Sequence, residues 1–234
     1  MQLFYSPNIN TEHQQFTFSK EESKHIVRVL RKKEGDKLTI TNGKGTLYFV
    51  ELIVADAKNC IVQINSEEQQ SKHNYKLHIA IAPTKMNDRM EWFLEKATEI
   101  GIDEITPIIC DNSERKVIKK DRFEKIIQSA MKQSLQTHLP QLNDAISFNQ
   151  FITKNHHEQL FIAHCEEQDK KLLQTEVVAE QSYTILIGPE GDFSTKEITA
   201  ATNNGCIPVS LGNTRLRTET AGIVACHTIA MTNS

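Results

Sequence analysis

Two glycine-containing segments near the C-terminus combine residue types that suit ligand binding and catalysis. Residues 188–194 read Gly-Pro-Glu-Gly-Asp-Phe-Ser, and residues 211–221 read Leu-Gly-Asn-Thr-Arg-Leu-Arg-Thr-Glu-Thr-Ala. Glycine lets a ligand approach the backbone closely, while Glu190, Arg217 and Glu219 supply charge. Neither segment has the Gly-x-Gly-x-x-Gly or Gly-x-x-x-x-Gly-Lys-Ser/Thr spacing that cradles phosphates, which argues against a dinucleotide or a nucleoside triphosphate. Each segment alone is equally typical of a tight structural turn.

Both segments follow apolar runs that predict buried strands. Residues 183–187 precede the first segment and residues 207–211 precede the second. A helix is expected to begin at Ser194, with Glu197 at capping-box spacing, and another, which Thr218 can cap, covers residues 219–231. In an open parallel sheet, ligands bind beyond the carboxyl ends of the strands. We therefore expect the two segments to lie together at that edge.

The preceding chain divides at a polar stretch, residues 66–74, which reads as a linker. After it, strands are predicted over residues 77–82, 105–109 and 159–163, with helices from Asp88 to Gly101 and from Asp121 to Gln136. This alternation predicts an α/β fold with a mainly parallel sheet over residues 75–234. Residues 1–70 contain short strands and one helix capped by Ser19, which predicts a small barrel.

Charge is unevenly distributed in this 234-residue chain, whose 27 basic and 30 acidic residues give a net charge of −3. Residues 20–37 hold seven bases and four acids, and residues 114–132 hold seven bases and three acids. Because local potential steers a polyanion, the acidic total does not exclude RNA. Solvated, salt-bridged surfaces have the same composition.

Other features indicate the cellular compartment and argue against a metal site and a membrane span. The five cysteines are isolated in sequence, which favours a reducing cytoplasm over a disulfide framework. No histidine cluster has acidic or cysteine partners at ligand spacing, so no metal site is expected. No apolar run approaches the 18 or so residues that span a bilayer, and the first residues lack an export signal.

Four segments together resemble the RsmE family of SPOUT RNA methyltransferases. They are residues 25–31, residues 85–101, residues 188–194 and residues 211–221, and they occur in order at ordinary spacing. The resemblance implies a PUA-like RNA-binding β-barrel over residues 1–70 and a SPOUT domain over residues 75–234, whose last strand and loop form a deep trefoil knot. It also implies a homodimer whose active site forms at the subunit interface.

The implied reaction is methylation of uridine N3 in 16S rRNA, with S-adenosylmethionine as the donor. The donor pocket would comprise Gly188, Glu190, Gly191, Leu211, Gly212, Leu216 and Thr220. Arg217 would stabilise negative charge on the uracil oxygens when N3 loses its proton. Glu219 or Glu190 would accept that proton, or orient Arg217, or cap a helix.

RNA contacts are expected from both basic stretches. The residues predicted to bind RNA are Lys24, His25, Arg28, Arg31 and Arg115. His25, Arg28 and Arg31 are expected to share one face of a helix, because they are spaced at i, i+3 and i+6.

The sequence also departs from the family pattern. Asp192 stands where a glycine is usual, which is expected to affect loop shape more than chemistry. Asp111 and Asn112 replace a Glu-Arg pair, which weakens a possible donor or RNA contact, and either Arg215 or Arg217 would face the substrate. Two alternatives stay open, a SPOUT methyltransferase acting on ribose 2′-oxygen and a non-catalytic RNA-binding assembly factor.

Overall fold

The computed structural model of the protein describes residues 2–10, 12, 14–154, 159–166 and 170–234. The chain divides into two compact units. The first comprises Met1–Lys72 with Met131–Leu139, and the second comprises His73–Ala130 with Pro140–Ser234. The addition of residues 131–139 to the first unit has no counterpart in the sequence pattern.

The first unit contains a five-stranded sheet. Its strands are β1 (Leu3–Tyr5), β2 (Gln15–Thr17), β3 (Lys37–Thr41), β4 (Thr46–Val54) and β5 (Ile61–Gln69). Their order is β1-β3-β4-β5-β2, with β1 parallel to β3 and the other pairs antiparallel. Two register shifts between β4 and β5 act as bulges that curl the sheet.

Local chemistry explains the β3–β4 hairpin. The side-chain oxygen of Asn42 accepts hydrogen bonds from the backbone N–H groups of Lys44 at 2.8 Å and Thr46 at 3.2 Å. Gly43 and Gly45 have φ angles of 75° and 96°, which side chains larger than hydrogen disfavour. The sequence prediction of a turn at this position is therefore confirmed.

One helical segment interrupts the strands of the first unit. Helix α1 covers Lys20–Lys24, and the Ser19 hydroxyl caps it by accepting the Glu22 N–H at 3.3 Å. The chain continues as a π-helical turn over His25–Val29. Single π-helical turns are rare and are frequent at functional sites.

The second unit is built on a parallel sheet. Its strands are β6 (Lys76–Ile81), β7 (Glu104–Ile109), β8 (Gln141–Leu142), β9 (Ile146–Ser147), β10 (Gln159–Ala163), β11 (Lys171–Leu172), β12 (Ser182–Ile187) and β13 (Ile207–Ser210). The order is β11-β13-β10-β12-β6-β7-β8, with β9 also beside β7. Within the described residues, every strand pairing of the second unit is parallel, as the alternating pattern predicts.

Six helices complete the described part of the chain after residue 72. They are α2 (Asn87–Ile100), α3 (Lys120–Gln133), α4 (Phe148–Ile152), α5 (Leu173–Glu176), α6 (Thr195–Asn203) and α7 (Thr218–Thr232). Helices α2 and α7 pack closely against each other. A Cβ added at Gly222 of α7 would lie 2.6 Å from the ring of Phe93 in α2. The Ser194–Glu197 capping box of α6 is confirmed. Helix α2 begins at Asn87, one residue before the predicted start, so Asp88 lies in its first turn.

Pro107 lies inside β7, although proline in a sheet is usually confined to an edge strand or a strand start. Strand β7 has β6 on one side and the two short strands β8 and β9 on the other, and these short strands explain the exception. β8 pairs with residues 104–105 and β9 pairs with residues 108–109, so Pro107 falls in the gap between them. A missing N–H costs little where no neighbouring strand accepts it.

Within the described residues, no helix combines the length and the apolar character needed to cross a membrane.

Candidate active site

Two adjoining cavities lie at the carboxyl ends of β10, β12 and β13. The first cavity has a volume of about 300 Å³ and the second about 240 Å³. Both are lined by Ala163, Cys165, Arg215, Leu216 and Ala221. The first cavity is bounded by the loop after β12 and the second by the loop after β13, so the two glycine-containing segments meet as the sequence predicts.

The residues predicted to bind a methyl donor divide into two groups. Those that line a cavity are Gly188, Glu190, Leu211, Gly212 and Leu216. Gly191 and Thr220 line neither cavity. The backbone carbonyl of Gly191 instead accepts a hydrogen bond from the Asn112 side chain at 3.2 Å.

Packing explains the glycine at the end of β12. A Cβ at Gly188 would lie 3.0 Å from the ring of Phe193, which is itself buried. The turn between them is closed by a hydrogen bond from the Asp192 N–H to the Pro189 carbonyl oxygen at 2.9 Å. The loop is therefore folded back against its own aromatic side chain, with its backbone against the first cavity.

Glu190 holds a neighbouring loop in place. One oxygen of its carboxylate accepts the backbone N–H of Lys85, just beyond β6, at 3.0 Å. Arg115 holds the same segment from another side, because its guanidinium donates to the carbonyl oxygens of Thr84 and Lys85. Arg115, predicted to contact RNA, thus has a structural partner that the sequence did not reveal.

The loop after β13 carries both candidate arginines. Arg215 lines both cavities and Arg217 lines the first, each with an exposed side chain. Gly212 has a φ of 137°, and its N–H donates to the Ser210 hydroxyl at 3.2 Å. The geometry therefore brings both arginines to the cavity and does not discriminate between them.

The start of α7 differs from the sequence prediction. Thr218 does not cap the helix, because Arg217 occupies the cap position. The Thr218 hydroxyl donates instead to the carbonyl oxygen of Gly188 at 3.0 Å. Glu219 is 6% exposed and lines neither cavity. Its Oε1 lies 3.8 Å from Nε of Arg89, and its Oε2 has no hydrogen-bond partner among the described residues.

Two residues at which the sequence departs from the family pattern also support the loops of the site. Asn112 donates through its side chain to the carbonyl oxygens of Gly191 and Asp192, at 3.2 and 3.1 Å. Asp111 accepts the Ser194 hydroxyl at 2.7 Å. Both follow the carboxyl end of β7, so the rule that located the glycine-containing loops would also have found them.

His164 is a third residue whose place at the site the sequence did not predict. It follows β10, lines the second cavity and is 7% exposed. Neither ring nitrogen has a hydrogen-bond partner in the part of the chain that the structure describes. Burial lowers the pKa of the imidazole, and Lys170 lowers it further, against weaker opposing effects of Asp192 and Glu166. Burial and Lys170 thus favour the neutral form of the ring over the protonated one.

A larger cavity of about 830 Å³ lies elsewhere on the second unit. Several of its polar groups already have partners: His78 contacts Thr106 at 2.7 Å and Thr184 at 3.2 Å, while Lys76 and Glu104 form a 2.7 Å ion pair. No predicted site residue lines it. The described residues also contain no group of three or more His, Cys, Asp or Glu arranged to hold a metal.

The predicted RNA-contacting residues of the first unit lie on α1 and the turns that follow it. Lys24 and Arg28 are exposed, and His25 is half-buried. Arg31 is exposed but has a φ of 56°, so it lies beyond the helical segment. The expected single face at i, i+3 and i+6 is therefore wrong, because the π-helical turn and the left-handed residue change the spacing.

Comparison with known proteins defines the class. A family model described as an RNA methyltransferase domain matches residues 70–230, and one described as an RNA methyltransferase PUA domain matches residues 18–65. The first match covers more than half of the chain and includes both cavity loops. The fold and the site are those of an RNA methyltransferase with an N-terminal PUA domain.

Relatives define the family more narrowly. The ribosomal RNA small subunit methyltransferase E of Buchnera aphidicola subsp. Acyrthosiphon pisum is 31% identical over 223 residues, which cover 90% of this chain and 86% of the relative. The chain belongs to the ribosomal RNA small subunit methyltransferase E family.

Two solved structures agree with this assignment. A crystal structure described as a probable rRNA-methyltransferase from Porphyromonas gingivalis is 41% identical, with a TM-score of 0.93 over 100% of this chain and 98% of that one. A methyltransferase from Legionella pneumophila, in complex with the bound cofactor SAM, is 29% identical, with a TM-score of 0.89 over 99% and 97% of the two chains.

Proposed function

We propose that the protein transfers a methyl group from S-adenosylmethionine to N3 of a uridine in 16S rRNA. The observation that carries the proposal is the pair of adjoining cavities at the carboxyl ends of β10, β12 and β13, in a chain of the methyltransferase E family. Together the cavities exceed the volume of about 300 Å³ at which small-molecule sites begin.

The residues around the cavities fit this donor. S-adenosylmethionine has an adenosine without phosphates, which suits loops that lack a phosphate cradle, and a positively charged sulfonium. Glu190 brings a carboxylate to the first cavity, where it favours a cation, beside the guanidinium groups of Arg215 and Arg217. When bound, the donor supplies a methyl group on a good leaving group, so positioning by the loops provides much of the acceleration.

Arg217 is the residue that we assign to the uracil. N3 of uridine must lose its proton for the nitrogen to accept a methyl group, and the resulting negative charge spreads onto O2 and O4. An exposed guanidinium at the first cavity stabilises that charge as an oxyanion hole does. Arg215 is the alternative, because it lines the same cavity.

The carboxylates differ in their suitability as proton acceptors. Glu219 is buried, lines neither cavity and faces Arg89, which favours a positioning role at the start of α7. Glu190 lines the first cavity and commits one oxygen to the Lys85 N–H. Glu190 is therefore the better placed of the two to accept the proton.

The remaining elements of the proposal come from the family resemblance. The curled sheet of the first unit would serve as a PUA-like barrel that binds RNA through Lys24, His25, Arg28 and Arg31, with Arg115 contributing from the second unit. The enzyme would act in the cytoplasm on the small ribosomal subunit, as a homodimer with its active site at the subunit interface. The last strand and its loop would form the trefoil knot.

The test is nucleoside analysis after incubation with labelled donor. Small ribosomal subunits or naked 16S rRNA are treated with the protein, digested to nucleosides and separated. N3-methyluridine is the expected product, and a 2′-O-methylated nucleoside would establish the ribose-methylating alternative instead. Calorimetry on the same preparation measures donor binding, and its absence would favour a non-catalytic RNA-binding factor.

A further inference from the structure

Asp192 has a backbone conformation that its residue type does not favour. Its φ is 65°, in the left-handed region where most residues with a Cβ are strained. Glycine would adopt this conformation without cost. The presence of aspartate therefore directs attention to what its side chain does.

The carboxylate of Asp192 joins two loops of the site. Its Oδ2 accepts the backbone N–H of Cys165, in the loop after β10, at 2.7 Å. Its Oδ1 accepts the N–H of Phe193, in the loop after β12, at 2.8 Å. Hydrogen bonds to an ionised acceptor are stronger than those between neutral groups, so this single side chain ties the two loops together.

The hydrogen bond between the Cys165 N–H and the Asp192 carboxylate lies beside the cavities. Asp192 lines the first cavity, and Cys165 lines both. The backbone of Asp192 is fixed independently, because its N–H donates to Pro189 and its carbonyl accepts from Asn112. Because its backbone is fixed, the side chain of Asp192 can hold the Cys165 backbone, just after β10, in place.

We propose that Asp192 is a positioning residue that sets the distance between the loops after β10 and β12, and that donor affinity depends on this tie. The inference rests on the proposed function, since it takes the ligand of the cavities to be S-adenosylmethionine. Holding both loops before the donor arrives removes an ordering cost from binding. Asp192 takes no part in methyl transfer itself.

The experiment is calorimetric titration of the full-length protein with S-adenosylmethionine, using graded substitutions. Asp192→Gly keeps the backbone conformation and removes both hydrogen bonds, so donor affinity should fall about tenfold. Asp192→Asn tolerates the left-handed conformation and keeps one acceptor oxygen, so it should lose about threefold. In turnover assays the donor KM should rise, while kcat at saturating donor should stay near the wild-type value.

Glu180 offers a matched control. It is an acidic residue with a φ of 58°, and its carboxylate accepts a hydrogen bond from Asn74 at 2.7 Å, yet it lines neither cavity. Glu180→Gly therefore makes the same chemical change away from the site, and its donor affinity should stay within about twofold of wild type. Thermal unfolding of all variants checks that each is folded.

Three outcomes would overturn the inference. The first is that Asp192→Gly binds the donor as tightly as wild type. The second is that Glu180→Gly weakens donor binding as much as Asp192→Gly does, and the third is that Asp192→Asn binds the donor no better than Asp192→Gly. Absence of donor binding by the wild-type protein would instead overturn the proposed function, and the two failures are therefore distinguishable.

Discussion

The buried hydroxyl of Thr218 donates a hydrogen bond to the carbonyl oxygen of Gly188 at 3.0 Å. Thr218 begins α7, and Gly188 is the first residue after β12, so this contact joins the two cavity loops at their bases. Both residues are buried, which makes this hydrogen bond costly to lose. The shape of the first cavity therefore depends on a hydroxyl that the sequence pattern assigned to helix capping.

Thr218→Val should weaken the protein and the donor site together. Valine has nearly the same shape but leaves the Gly188 carbonyl without a donor, which should lower the free energy of unfolding by about 1–3 kcal/mol. Donor affinity should fall about three- to tenfold. Thr202→Val is the control, because its hydroxyl donates to the Ile198 carbonyl oxygen within α6, away from both cavities. Denaturant unfolding and calorimetry measure both effects, and unchanged donor binding in Thr218→Val would refute the coupling.

Arg217→Ala should lower turnover far more than donor affinity. Loss of a charge-stabilising donor typically costs about 10²- to 10³-fold in kcat. The comparison variant is Arg215→Ala, which removes a guanidinium from the same cavity. The variants are compared on small ribosomal subunits at saturating donor. If the loss falls on Arg215→Ala instead, that arginine faces the uracil. Equal losses of turnover and donor affinity in Arg217→Ala would exclude a substrate-facing role.

Reversing two charges beside the π-helical turn should weaken RNA binding without changing donor binding. Arg28→Glu with Arg31→Glu removes two candidate phosphate contacts, so RNA affinity should fall at least about tenfold at low salt. The slope of log affinity against log salt should decrease by about 2. Lys58→Glu is the control, since Lys58 is exposed on the same unit outside the basic stretch. An unchanged salt slope would remove this segment from the RNA footprint.

Acid should destabilise the protein partly through His164. Burial and Lys170 lower the pKa of the folded imidazole, whereas the unfolded one titrates near about 6.5. Between these two pKa values the unfolded chain binds more protons, so stability is full above the unfolded pKa and is lost as pH falls toward the folded one. His164→Phe should flatten this part of the pH dependence, measured by urea unfolding between pH 8 and pH 5. An identical slope would assign the effect to other groups.

The elements around the site are those with the most regular sequence patterns. The apolar run at residues 183–187 predicts a strand, and β12 covers Ser182–Ile187. It is recognisable because both faces of a central parallel strand are buried. The glycines at 188 and 212 likewise mark real positions of close packing or positive φ.

Tertiary contacts account for what the sequence does not predict. Strands β8, β9 and β11 have two residues each, too few for any periodicity. Arg115 gives no sign in the sequence that its guanidinium binds the carbonyls of Thr84 and Lys85, since that contact joins segments about 30 residues apart. In the sequence, Asp192 is only a substitution in a loop. Its partner, the Cys165 N–H, lies in another loop, and the sequence does not predict that the two loops meet.

The last strand, β13, lies between β10 and β11, both of which precede it in the chain. During synthesis, β10 therefore emerges well before the partner that covers one of its edges. Until residue 210 is made, that edge presents unpaired N–H and C=O groups to other chains. The cavities also need residues up to Ala221, so a nascent chain has no complete donor site. The ability to methylate is consequently acquired late in synthesis, and the interval before it is when the protein is most exposed to aggregation.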